Sequence, residues 1–210
     1  YKRIERKEFL MYISTYTGIH MDPTAPLIDQ FQIRDIAHAL PLLCRGNGHV
    51  KTFWSVGQHC LCCAREAVSR GYSDRVILAC LLHDAGECYL SDVPRPVKQG
   101  MPEYCAIENR LLAMVYQRFL GSDLTDEEKR LVDEIDDAML WYDLEILLDE
   151  PQDGPPPKLN CVPDYSFQPF AQVEGEYLSL FRQVYERLGR PDHAEETVYG
   201  GGGYPEIFQS

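Results

Sequence analysis

The apolar run VILACLL, residues 76–82, leads without a turn residue into His83, Asp84 and Glu87. Such a run belongs in a core, and an ionised carboxylate is costly there unless it is paired or bound to a metal. A chain that carries this stretch must either supply polar partners from neighbouring elements or build half of a metal site. On one helix over 73–88, at about 100° per residue, His83, Asp84 and Glu87 share a face. His83 and Glu87 also continue the inward stripe begun by Val76 and Cys80.

The remaining pattern is helical too. A short helix is expected over 5–14 and another over 33–44, which Pro41 bends or ends. Ser55 reads as the N-cap of a helix to about Ser69, stopped at Gly71, and Ser73 caps the next. A helix over 103–120 ends at Gly121. Ser122 or Thr125 starts a long helix to about Glu150, with Thr125 and Glu128 as a capping box. Residues 151–170 are a proline-rich bridge, 171–190 carry a last helix, and the four glycines at 200–203 mark a flexible tail over 191–210. No alternating strand pattern and no internal repeat is present, so the expected fold class is all-α.

Composition narrows the function. A net charge of −13 across 210 residues, with no Lys/Arg block, argues against a nucleic-acid polymer as partner. No stretch approaches the roughly 18 apolar residues of a membrane span. The basic start has no signal-peptide pattern, so the expected compartment is the cytoplasm. The eight cysteines fit that reducing setting as buried free thiols. Cys60 and Cys63 form a C-x-x-C, but no second pair follows at zinc-ribbon spacing.

Two further residues join the His83–Asp84 pair. His59 faces inward on the helix after Ser55. Asp136 lies on the stripe of Val132 and Met139, whereas Asp137 falls on a more exposed line with Asp133 and Trp141. A lone inward histidine is usually packing, and an isolated His-Asp dipeptide means little. Two imidazoles and two carboxylates, all inward on three helices, suit one divalent transition ion of the Co, Mn, Fe, Ni or Zn class rather than Ca²⁺. Other residues stay open. Trp54 is either a base-stacking ring or core packing, and His49 is loop structure or pocket edge. His38 is packing or support for the site, Arg95 meets phosphate or solvent, and His20 and His193 belong to the surface.

The order His59, His83-Asp84, Asp136 resembles the H…HD…D signature of the HD-domain metal-dependent phosphohydrolases. IRDIAHAL (33–40), RGNGH (45–49), SVGQH (55–59), LLHDAGECYLSDVPRPVK (81–98), PEYCAIE (102–108) and IDDAML (135–140) together resemble the branch of YfdR-type and YfbR-type 5′-deoxynucleotidases. The resemblance implies a helical HD core over 1–150, with residues 171–190 packed on it. It implies catalytic roles for Glu87 and Asp92 near the attacking water. It implies substrate contacts from Arg45 and Lys98, with Mg²⁺ as an additional cation on the substrate phosphates. The implied reaction is release of phosphate from a deoxynucleoside monophosphate. Triphosphate release from a dNTP and a non-catalytic nucleotide-binding module are the alternatives. Homo-oligomers are implied as well. The chain departs from the family pattern at Gly46, where many relatives have phenylalanine, and at Gly57, where they have alanine.

Overall fold

A computed structural model describes residues 12–189. Within them the chain is a bundle of helices with a single two-stranded ribbon, as the all-α expectation required. Strands β1 (Ile13–Ser14) and β2 (His20–Met21) pair antiparallel around a turn in which Gly18 adopts a φ of 86°. This corrects part of the expected 5–14 helix: Ile13 and Ser14 are held in sheet pairing, and 5–11 lie outside the described residues. Asp35 ties the ribbon to the bundle by accepting from the Thr17 N–H at 2.7 Å and from its hydroxyl at 2.9 Å. The expected tail over 191–210 and His193 also lie outside the described residues.

Helix α1 (Ile33–Ala39) tightens into a 3-10 turn, Leu40–Leu42, around Pro41. A further short turn, Arg45–Gly48, follows, with Gly46 and Asn47 at positive φ. Helix α2 (Val56–Ser69) starts at the capping box of Ser55 and Gln58 and runs through the middle of the bundle. It packs on α3 (Asp74–Leu82), on α7 (Asp126–Leu148), on α8 (Phe170–Arg187) and on the Pro41 turn. The Gly57 departure has a steric cause. A Cβ on residue 57 would sit 2.9 Å from the Pro41 nitrogen and 3.0 Å from its ring carbons. The ring of Pro41 therefore seats directly on the α2 backbone. Gly46 has φ +59°, where a bulky side chain is strained.

The expected single helix over 73–88 is broken. α3 ends at Leu82, and a separate turn, α4 (Glu87–Leu90), follows. Between them the backbone bonds tighten to i→i−3, with Ala85 N–H on Leu82 O and Glu87 N–H on Asp84 O. The break releases carbonyls that a continued helix would occupy. Cys80 O accepts from His83 Nδ1 at 2.8 Å, and Leu81 O accepts from the Tyr177 hydroxyl of α8 at 2.5 Å. After α5 (Arg95–Lys98) and α6 (Pro102–Leu120), Gly121 ends α6 in the left-handed conformation. No helix among the described residues is long and apolar enough to cross a membrane.

From α7 to α8 the chain runs as an irregular strap over 149–169. Its anchor is Glu66 of α2, which is fully buried. The carboxylate accepts from the Arg70 Nε at 2.8 Å, from Asn160 N–H at 2.9 Å and from Cys161 N–H at 2.8 Å. Burial opposes its charge, but Arg70 and these backbone donors win and hold its pKa below the ordinary value. Glu66→Gln puts an NH₂ where a backbone N–H needs an acceptor. It is expected to cost about 2–4 kcal/mol of stability at pH 7. Because the folded pKa is depressed, this stabilisation is present above the unfolded value of about 4.3 and fades as pH falls through the folded one. Denaturant titrations of parent and variant should show the gap at pH 7 and its narrowing at pH 3, below the unfolded value. A gap of equal size at both values contradicts the ionic anchor.

Candidate metal centre

The four sequence-derived ligand residues come together. His59 Nε2 lies 3.2 Å from His83 Nε2, 2.9 Å from Asp136 Oδ1 and 3.9 Å from Asp84 Oδ2. His83 Nε2 lies 3.3 Å from Asp84 Oδ2 and 3.5 Å from Asp136 Oδ1. Donor atoms about 2.1 Å from one shared ion stand about 3.0 Å apart at right angles and about 3.4 Å apart at tetrahedral angles. Most of the observed separations fall near these values. His59 comes from α2, His83 and Asp84 from the break after α3, and Asp136 from α7.

Hydrogen bonding behind the imidazoles decides which nitrogen faces inward. A backbone carbonyl only accepts, so His83 Nδ1 must donate to Cys80 O. His59 Nδ1 lies 3.2 Å from Oδ2 of Asp143. That carboxylate also accepts from Arg45 at 3.2 Å and from the Tyr165 hydroxyl at 2.9 Å. With both Nδ1 hydrogens engaged behind, the neutral form of the two rings would set two Nε2 lone pairs facing each other at 3.2 Å. Two lone pairs so placed repel unless a proton or a cation lies between them. Imidazoles held from behind by a carboxylate or a carbonyl are the usual support of metal-ligating histidine.

Electrostatics agree. Burial alone would lower the pKa of His83, yet Asp84, Cys60 and Asp136 push it well above the ordinary value. Burial and Arg45 likewise oppose charge on His59, but Asp136 and Asp143 raise it. Asp136 is disfavoured by burial but held far below the carboxylate range by both histidines. The cluster attracts positive charge, and protons and a cation compete for the same lone pairs. Cys63 also borders the cluster, with its Sγ 3.6 Å from His59 Nε2. Two groups could hold a metal ion: His59, Cys63, His83 and Asp136 in one, and Cys60, His83 and Asp84 in the other. All eight cysteines are free thiols.

Around this centre the other expected residues take definite places. Glu87 is buried, and its Oε2 has no hydrogen-bond partner. Burial, then Asp84 and Asp92, raise its pKa well above the carboxylate range against the pull of Arg45 and Lys98. Asp92 is half-buried. It follows Ser91, whose φ of 76° and ψ of 157° are strained for a residue with a side chain. Arg45 bridges Asp84 at 3.4 Å and Asp143 at 3.2 Å. Lys98 binds Glu108 at 2.6 Å and stands 3.9 Å from Glu87. Arg95, largely exposed, holds Asp136 Oδ2 at 3.2 Å and Asp137 at 3.3 Å.

Of the two places open to it, Trp54 takes core packing in the structure. It is 1% exposed and packs on Tyr165 with ring centroids 4.8 Å apart, because the strap covers it. His38 stacks on Tyr16 and faces Glu174 at 3.1 Å, away from the cluster, and His20 and His49 are exposed. Sequence reasoning missed Asp143. The signal was present, since 143 lies two helical turns after 136 and so on the same face.

No family model matches the chain. It is 32% identical over 110 residues to the uncharacterized protein YfdR of Escherichia coli (strain K12), covering 52% of this chain and 59% of that protein. The chain is a distant relative of YfdR. The uncharacterized protein RCAP_rcc00048 of Rhodobacter capsulatus is 37% identical over 109 residues, covering 49% of this chain and 55% of that protein. The chain thus spans somewhat over half the length of these curated relatives.

Proposed function

We propose that the chain is a metal-dependent phosphohydrolase of the HD type, acting on deoxynucleoside monophosphates. The observation that carries this reading is the convergence of His59, His83, Asp84 and Asp136 with both imidazole Nδ1 atoms tied back. These residues would hold the ion. When bound, a divalent ion supplies Lewis acidity toward a phosphoryl oxygen and makes water a stronger acid.

The chain's own residues account for the rest. Arg45 and Lys98 neutralise phosphate charge beside the ligand cluster. Glu87 and Asp92 share the proton work: one carboxylate takes the proton of the attacking water, and a carboxyl returns one to the leaving 5′-oxygen. The water oxygen bonds to phosphorus as the P–O5′ bond breaks, giving a nucleoside and orthophosphate. Burial and the neighbouring Asp84 and Asp92 raise the pKa of Glu87, which favours its protonated form over that of an ordinary carboxylate. A cytoplasmic homo-oligomer belongs to the same reading.

A screen of NMPs, dNMPs and dNTPs with Mn²⁺ or Co²⁺, read by product chromatography, tests the proposal. Orthophosphate from dNMPs is the expected product. Triphosphate from a dNTP would make the chain a triphosphohydrolase instead. Binding without any product would make it a nucleotide-binding module.

A further inference from the structure

We propose that Tyr165 is a positioning residue of the metal centre, acting through Asp143 and His59. The strap that carries it is then part of the site rather than a tether between helices. This inference rests on the metal reading above and goes beyond it by assigning a role to the 149–169 connection.

The strap is long for a connection inside one bundle. Structureless loops beyond about 12–15 residues are uncommon in compact domains unless they serve a function. It is also fastened closely to the elements around the site. Glu66 holds Asn160 and Cys161, Gln58 Nε2 donates to Ser166 O at 3.4 Å, and Trp54 lies against Tyr165. Both Glu66 and Gln58 belong to α2, the helix that presents His59. These fastenings fix Tyr165 so that its hydroxyl meets Asp143 Oδ1 at 2.9 Å.

Asp143 has little freedom to compensate. Its side chain is 8% exposed, and its Oδ2 serves two groups at once, His59 Nδ1 at 3.2 Å and Arg45 at 3.2 Å. A donor on Oδ1 fixes the carboxylate plane and satisfies an oxygen that water reaches poorly. Without the phenol, the carboxylate gains by turning Oδ1 toward a donor already present, the Arg45 guanidinium. That rotation weakens the hold on His59 Nδ1. The Tyr165 hydroxyl is thereby linked to a ligand imidazole through one carboxylate, and to Arg45 through the same carboxylate. Trp54 seats the phenol ring, a role in keeping with its burial.

The test is a double-mutant cycle on Mn²⁺ affinity by isothermal titration calorimetry, with the full chain. Asp143→Asn is expected to weaken binding about 10–100-fold, the usual loss for a group that orients a ligand histidine. Tyr165→Phe, one step further out, is expected to weaken it by a smaller factor of about 3–10. In the Asp143→Asn background, Tyr165→Phe should change nothing, because its path to the ion is already cut. Metal-free melting curves of all four proteins complete the cycle, since a general folding defect lowers stability in both backgrounds. Parental affinity in Tyr165→Phe, or an equal loss in both backgrounds, overturns the inference. A parent that binds no Mn²⁺ removes the metal reading itself, whereas intact parental binding with a silent Tyr165→Phe removes this inference alone.

Discussion

Asp136→Ala is expected to lower affinity for the transition ion by about 10²–10³-fold and to abolish hydrolysis with it. Apparent binding energies of about 10–16 kcal/mol shared among four ligands assign roughly 2.5–4 kcal/mol to each. Asp136 is taken as one such share: its Oδ1 lies 2.9 Å from His59 Nε2 and 3.5 Å from His83 Nε2. A second readout needs no substrate. A ligand at 100 times its dissociation constant stabilises the native state by about 2.7 kcal/mol, which for a domain of this size is roughly 5–10 °C in melting temperature. The parent should show that rise with Mn²⁺ or Co²⁺, and Asp136→Ala should not. An undiminished shift in the variant would place the ion elsewhere.

Glu87→Gln is expected to leave that thermal shift intact while lowering turnover by about 10²–10⁴-fold, the range for loss of a positioned acid or base. Glutamine keeps the volume, so the buried surroundings need not repack. Loss of metal together with activity would instead make Glu87 a support of the ligand set. The pH profile gives the direction of proton flow. The Glu87 pKa is raised, so the group is neutral below an elevated value and charged above it. If Glu87 works as the base, the rate climbs as pH rises through that value. If it works as the acid, the rate declines there. In either case the limb should vanish in Glu87→Gln.

The helical class was legible because apolar periodicity, Ser and Thr caps and terminal glycines are local signals. Thr125 and Glu128 form the capping box that their spacing announced, and Gly121 ends α6 as its freedom at positive φ predicts. The clustering of Asp136 with the two histidines was legible because helical phase alone separates the inward Asp136 from the exposed Asp137. What stayed hidden depends on distant partners. At the break after α3 the Leu81 carbonyl takes a hydroxyl from Tyr177, 96 positions away. Trp54 is buried by Tyr165, from a strap whose sequence has no periodicity to read. Ile13 and Ser14 fit a helical pattern, but a ribbon closed at Gly18 and docked on Asp35 outweighs it.

The contact of Pro41 with Gly57 has a mechanical consequence. A pyrrolidine ring seated on a bare stretch of helix backbone behaves like a pawl in a notch: it resists sliding along the axis as well as approach. His59 stands two positions beyond the notch. The axial register of that imidazole is therefore indexed by a ring that stands outside the cluster itself, on the corner after α1.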